Sequence, residues 1–196
     1  PGVTVKPIRL ISGTSPFCET FLDDAVADKD DLVGELNKGW TVGKRLLQFE
    51  RSGIGGLAGG RRPNPGAGLV KVAKDYVGMT DGHLADSAVR KTVTSFNMNS
   101  AAFGLTAKRA NEENRSGTPG AATSMFKLYG AALQQDGAEL KRMLMGTRGL
   151  GVDEGFDDAE LNATREWLHS KATTIYGGSN EIQANIIAKR VLGLPD

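Results

Sequence analysis

Cysteine is nearly absent from this chain of 196 residues: Cys18 stands alone, so no intramolecular disulfide can form. Histidine is scarce too. His83 lies in the polar stretch TDGHLAD and His169 follows Arg165 by four residues, and neither has a second histidine or a cysteine at metal-ligand spacing. No metal site is expected. No apolar run approaches the roughly 20 residues that a membrane-spanning helix needs, so no membrane span is expected and a reducing, soluble, cytoplasmic setting fits best. Excess charge of either sign is missing as well, with 24 Lys+Arg against 23 Asp+Glu, which leaves no electrostatic reason to expect nucleic acid as a partner. The start, PGVTVKPIRLI, has no basic residues leading into an apolar stretch and a cleavage site. With Pro1 in place of a methionine, the chain reads as a piece of something longer.

What is present divides by period. Val3, Val5 and Ile8 make VTVKPIRLI a strand, Gly13 and Pro16 break it, and FCETFLDD reads as a second extended run. From Asn37 the pattern turns helical, with Trp40, Leu46, Leu47, Ile54 and Leu57 at helical spacings, until GGRRPNPGAG interrupts it with two prolines. The clearest element follows. Val89, Val93, Phe96, Ser100, Phe103, Ala107 and Ala110 alternate steps of four and three, one stripe along one long helix that serves packing. RSGTPG ends that helix, and a second is expected from about Ala121 to Met145 with Met125, Leu128, Ala132, Leu140, Met143 and Leu144 inward. A third, carrying Leu161, Trp167 and Leu168, is expected from about Asp158 to Thr174, and a last helix begins at Ser179. The fold class is therefore mainly α: an up-and-down helical bundle over 37–196, preceded by a partial β segment over 1–36.

Two stretches could carry chemistry. In YGGSNEIQ, Gly177 and Gly178 let the backbone approach a ligand and Ser179 begins a helix whose amides favour an anion, yet glycine and serine are also ordinary capping residues. In LLQFERSGIGG, Glu50 among Leu47, Phe49 and Ile54 could be a desolvated base, or a solvated glutamate paired with Arg45 or Arg51. Cys18 has no histidine near it in sequence to make it a nucleophile. GIGGLAGG sits in helical context, which is wrong for a dinucleotide fingerprint or a phosphate loop.

The ending IYGGSNEIQANIIAKRVLGLP closely resembles the C-terminal signature of acyl-CoA dehydrogenases. FLDDAVADKDDLVGELNKGWTVGKRLLQFERSG is similar to the junction in that family between the middle β domain and the C-terminal helical domain. The resemblance spans the whole chain and covers about the second half of the family's usual length. It implies an FAD-dependent α,β-dehydrogenation of an acyl-CoA thioester, in which a carboxylate removes the α proton, the β hydrogen leaves as hydride to flavin N5, and an electron-transferring flavoprotein reoxidises the flavin. A homodimer or homotetramer through the helical domain is implied too.

Many members hold the base at the position of Gly177, where glycine cannot serve. Others hold it on the first helix of the C-terminal domain, in a stretch similar to FERSGIGG, which assigns the base to Glu50, with Arg51 helping to position it or the thioester. By the same resemblance Tyr176 and Gly177 line the acyl pocket, while Gly178, Ser179 and Glu181 meet the cofactor's phosphate and ribose region. Lys74, in AKDYVGM, falls where members with an Arg-x-x-Phe-Gly motif carry a phosphate-binding arginine, and a lysine offers a point charge without the bidentate fork. Two further departures follow: NATREWLHSKATT stands in place of a second glycine-rich motif, which bears on the cofactor contacts of this half, and AVADKDD, where Val-Pro is usual, points to a divergent subgroup. Two other readings stay open, a non-catalytic helical oligomerisation fragment unable to hold FAD alone, and a flavin-dependent acyl-CoA oxidase of the same fold.

Overall fold

A computed structural model describes residues 1–47, 68–115 and 123–195. The chain divides into two compact units, Pro1–Gly60 and Arg61–Asp196, each taken by itself below.

In the first unit, β1 (Val3–Ile8) pairs antiparallel with β2 (Phe17–Leu22), in a register running from Val3 opposite Leu22 to Ile8 opposite Phe17. The β-branched residues of β1 favour this extended state, and the Lys6 ammonium lies 4.7 Å from the centre of the Phe21 ring. The expected break is a loop closed by mutual bonds: Leu10 N donates to Thr14 O at 2.9 Å, Gly13 N donates to Leu10 O at 2.9 Å, and Gly13 takes φ +83°. After a short 3₁₀ turn at Lys29–Asp31, capped by the Asp28 carboxylate, helix α1 occupies 39–47 among the described residues.

The second unit opens with α2 (Leu69–Tyr76), which the glycine and proline content upstream had hidden. It closes on Gly78, whose φ of +87° lets its amide reach back to Ala73 O at 3.2 Å. Then comes a two-residue hairpin, β3 (Met79–Thr80) and β4 (His83–Leu84), turning on Asp81 and Gly82 at φ +50° and +77°. Both central residues are left-handed, the geometry an Asp-Gly pair favours. Asp86 caps the next helix, accepting from Ala88 N at 2.7 Å and Val89 N at 3.0 Å.

That helix, α3 (Ser87–Arg115), carries the stripe as expected: Val93, Phe96 and Ala110 are buried, and Val89, Ser100, Phe103 and Ala107 are half-buried. It packs on α4 (Thr123–Leu144), where the Phe103 and Phe126 rings meet edge to face at 5.8 Å. Leu69, Ala73, Val93, Phe96, Leu133, Leu140 and Leu144 form the core joining α2, α3 and α4. Each large apolar side chain so buried contributes about 1.5–3 kcal/mol.

On α4 the expected inward set needs correction. Leu140 and Leu144 are buried and Leu128 half-buried, but Met125, Ala132 and Met143 are exposed, while Ala131, Leu133 and Gly137 are buried in their place. The physical reason is that α4 touches α2 and α3 as well as α5 (Asp158–Ser170) and α6 (Asn180–Ile186), so its buried surface is wider than a single stripe. Between α4 and α5 lies a 3₁₀ turn, Gly146–Leu150. Helix α5 starts in a capping box, with Asp157 accepting from Glu160 N and Glu160 accepting from Asp157 N, both at 2.9 Å. Leu161, Trp167 and Leu168 are each half-buried on it. A 3₁₀ turn, Lys171–Thr174, leads to the loop before α6, which ends in a π-helical turn at Ile187–Val191. No described helix is long and apolar enough to cross a membrane.

Candidate functional site

The loop between α5 and α6 gathers five of the residues singled out in the sequence: Tyr176, Gly177, Gly178, Ser179 and Glu181. Gly177 and Gly178 take φ of +66° and +97°, the left-handed region that side chains of L-residues rarely occupy, so two successive glycines are what this turn requires. Ser179 then stands at the N-cap of α6 with φ −64° and ψ 164°, but its hydroxyl makes no capping bond to an amide. It turns instead to Glu181, and that hydroxyl together with the residue's own amide holds the Glu181 carboxyl below the usual carboxylate range.

The helix start is thus already faced by a carboxylate. An acceptor of this kind suits hydroxyl groups of a ligand, whereas a phosphate would meet repulsion from it. Gln183 closes the turn from the other side, donating from Nε2 to Gly177 O at 3.4 Å, and it fills the space at Gly178, where an added Cβ would stand 2.6 Å from Nε2. Asn180 Oδ1 is buried without a partner among the described residues.

Beneath this loop lies a residue that no sequence pattern pointed to. Lys127, one turn into α4, donates to Thr173 O and lies 5.4 Å from the centre of the Tyr176 ring. Burial pushes its ammonium pKa below that of a free lysine. Tyr176 itself is 51% exposed, so its ring is available to a ligand.

Lys74 lies on the last turn of α2 and is exposed. No hydrogen bond, ion pair or ring contact joins it to the α6 loop among the described residues. The end of its helix is nevertheless fixed, because Tyr76, two residues on, donates to Glu160 Oε1 at 3.2 Å. Glu160 is 3% exposed and receives Arg148 through Nε at 2.6 Å and Nη2 at 2.5 Å. That paired guanidinium, followed by the Asp157 amide and the Tyr76 hydroxyl, holds the Glu160 carboxyl down, and burial beside the carboxylate raises the Tyr76 hydroxyl. This pair was not foreseen from the sequence; a D-x-x-E capping signature at 157–160 could have pointed to Glu160, but nothing local points to Tyr76, 84 residues away. A second network has Trp167 between Arg142 and Lys171, each 4.6 Å from its ring centre, with the indole N–H donating to Glu139. Glu50 and Arg51 lie outside the described residues.

A second unit of long helices, ending in a left-handed double-glycine turn into a short last helix, defines the class of this molecule as a mainly helical domain. The chain belongs to the acyl-CoA dehydrogenase family, its residues 37–192 matching the model of the acyl-CoA dehydrogenase C-terminal domain. It is similar to acyl-CoA dehydrogenase IpdE1 of Mycobacterium tuberculosis, 37% identical over 199 residues that cover 100% of this chain and 48% of that protein. Acyl-CoA dehydrogenase FadE34 of the same organism is 31% identical, over 100% of this chain and 25% of its own length. Among solved structures, the ChsE4-ChsE5 complex from Mycobacterium tuberculosis shares the fold with a TM-score of 0.75 at 20% identity, over 100% of this chain and 51% of that one. The chain thus spans about half the length or less of the curated relatives it matches.

Proposed function

We propose that this chain is the C-terminal part of an FAD-dependent enzyme that dehydrogenates an acyl-CoA thioester between Cα and Cβ. The observation that supports it is the match to the family's C-terminal domain over 37–192. The division of labour follows the sequence boundaries, with 1–36 as the end of a β domain and 37–196 as the helical domain.

The α proton of a thioester is only modestly acidic, so its removal needs a positioned carboxylate. Position 177 offers none: it is glycine, in a backbone conformation that disfavours any other residue. Glu50 is the base in this reading, with Arg51 orienting it or the thioester and with Tyr176 and Gly177 as the wall of the acyl pocket.

The residues present fit FAD. Gly177 and Gly178 carry no side chain to block backbone approach, and Glu181 with Ser179 supplies acceptor and hydroxyl to ribose-type hydroxyls. Lys74 supplies an exposed cation for a phosphate. When bound, FAD supplies the electron sink that takes the β hydrogen as hydride at N5, and an electron-transferring flavoprotein then removes the electrons. Assembly as a homodimer or homotetramer through the helical domain completes the reading.

The test is Glu50→Gln in the holoenzyme as it occurs, followed by anaerobic bleaching of the flavin band with an acyl-CoA. Loss of a base of this kind should slow bleaching by about 10²–10⁴-fold while flavin content is unchanged. Unchanged bleaching removes Glu50 from the role. A folded protein that holds neither flavin nor acyl-CoA supports a non-catalytic helical module instead.

A further inference from the structure

Lys127 is a charged group at the α6 loop that the proposed reaction leaves unused. Its Cε lies 3.4 Å from the point where a Cβ on Gly177 would stand. A side chain at 177 would therefore project onto Lys127, and because 177 is glycine no side chain from that position covers the lysine. The Tyr176 ring flanks the same ammonium.

An ammonium carries three N–H donors and no acceptor. Among the described residues it gives one of them to Thr173 O and faces the Tyr176 ring, and it is half-buried. A plain hydrocarbon packed against such a group would strip away its remaining water and return no acceptor, which is unfavourable for a cation. An oxygen on the ligand would replace that water with a charge-assisted hydrogen bond.

We propose that Lys127 is a specificity-determining residue of the acyl site, where its ammonium beside Gly177 and Tyr176 receives an oxygen carried on the acyl chain, so that oxygen-bearing acyl-CoA thioesters are preferred to hydrocarbon ones. The inference rests on the reading that Tyr176 and Gly177 line the acyl pocket. The oxygen can belong to a carboxylate or to a carbonyl. Both accept from an ammonium, and the carboxylate adds full charge attraction.

The test measures binding of three thioesters of one chain length, hexanoyl-CoA, 5-oxohexanoyl-CoA and adipoyl-CoA, by calorimetry on the holoenzyme as it occurs, with wild type, Lys127→Met and Lys127→Arg. In the wild type at least one oxygen-bearing thioester should bind about tenfold or more tightly than hexanoyl-CoA, the range of a hydrogen bond to a charged group. Preference for adipoyl-CoA alone identifies a carboxylate as the acceptor, and preference for both identifies any acyl oxygen. Lys127→Met should abolish the preference and Lys127→Arg should keep it. A lysine that only anchors Thr173 would alter melting and leave discrimination among the three ligands untouched. Equal affinities in the wild type, or a preference that survives Lys127→Met, overturn the inference. If Lys127→Met does not fold, the wild-type ratios decide. If hexanoyl-CoA binds and bleaches the flavin without any preference, only this inference falls; if none of the three binds, the reading of Tyr176 and Gly177 as an acyl wall falls with it.

Discussion

Gly149→Ala tests how tightly the turn between α4 and α5 is seated. Gly149 is buried in the 3₁₀ turn Gly146–Leu150, and a Cβ placed on it would come within 3.1 Å of Arg142 Cα and 3.0 Å of Arg142 C, and nearer still to the carbonyl oxygen. Favourable carbon–carbon separations are about 3.5–4.0 Å. All three atoms are backbone of α4, so no side chain can swing aside. Either the helix end or the turn must move, and the turn is held by Thr164 Oγ1, which donates to Gly149 O at 3.2 Å, and by the neighbouring Arg148–Glu160 pair. Overpacking of this kind costs about 1–3 kcal/mol, occasionally more. With the Arg142 backbone in the way the upper end applies, about 3 kcal/mol, or a fall in Tm of about 6–12 °C for a protein of this size. Gly177→Ala is the comparison. There the added Cβ meets only Lys127 Cε at 3.4 Å, an ordinary contact, and the cost is that of a left-handed alanine at φ +66°, about 1 kcal/mol and 2–4 °C. Thermal unfolding followed by circular dichroism at 222 nm reads both. If Gly149→Ala melts with the wild type, or loses less than Gly177→Ala, the account of the turn as backbone-locked is wrong.

Other expectations concern charge and capping. Glu160 has a depressed carboxyl pKa when folded, so its contribution to stability is present above the ordinary value of 4.5 and is lost as pH falls below that toward the folded value. Tm should drop over that acid window in the wild type and drop less steeply in Glu160→Gln, and parallel profiles would refute the linkage. Ser179→Ala should cost well under the ~1 kcal/mol typical of a lost N-cap, because the hydroxyl caps no amide here. Its effect should fall on flavin retention, and a Tm loss typical of a lost cap would count against the structure of this loop. Lys74→Ala should leave Tm unchanged, since the side chain is exposed, while weakening flavin retention more at low salt than at high salt. Equal loss at both would speak against a phosphate contact.

The sequence was most legible where one side of an element decides burial. The stripe from Val89 to Ala110 is the case in point: residues at steps of three and four fall on one face of α3, and all seven are buried or half-buried. On α4 the same reasoning misplaced Met125, Ala132 and Met143, because neighbours on several sides erase the single stripe that a period detects. Helix α2 escaped notice because it is only two turns long and follows directly on the glycines and prolines, although Leu69, Val72, Ala73 and Tyr76 do stand at helical spacing. The double glycine, in contrast, announced its turn, because only a backbone with positive φ at both positions makes such a pair useful.

The chemistry that period and propensity could not reveal is all long-range. Lys127 meets Thr173 across 46 residues, and Tyr76 meets Glu160 across 84. These contacts share a consequence for the site. The Tyr76–Glu160–Arg148 network fixes the end of α2 that carries Lys74, and Lys127 pins the loop that carries Tyr176 and Gly177. The two elements carrying Lys74 and Tyr176–Gly177 are therefore each tied down by a buried or half-buried ion, α2 in addition to its core residues Leu69 and Ala73. For the α6 loop, loss of the Lys127 contact should shift ligand affinity before it shifts the fold, because the residues that form the core lie on α2, α3 and α4 and not on that loop.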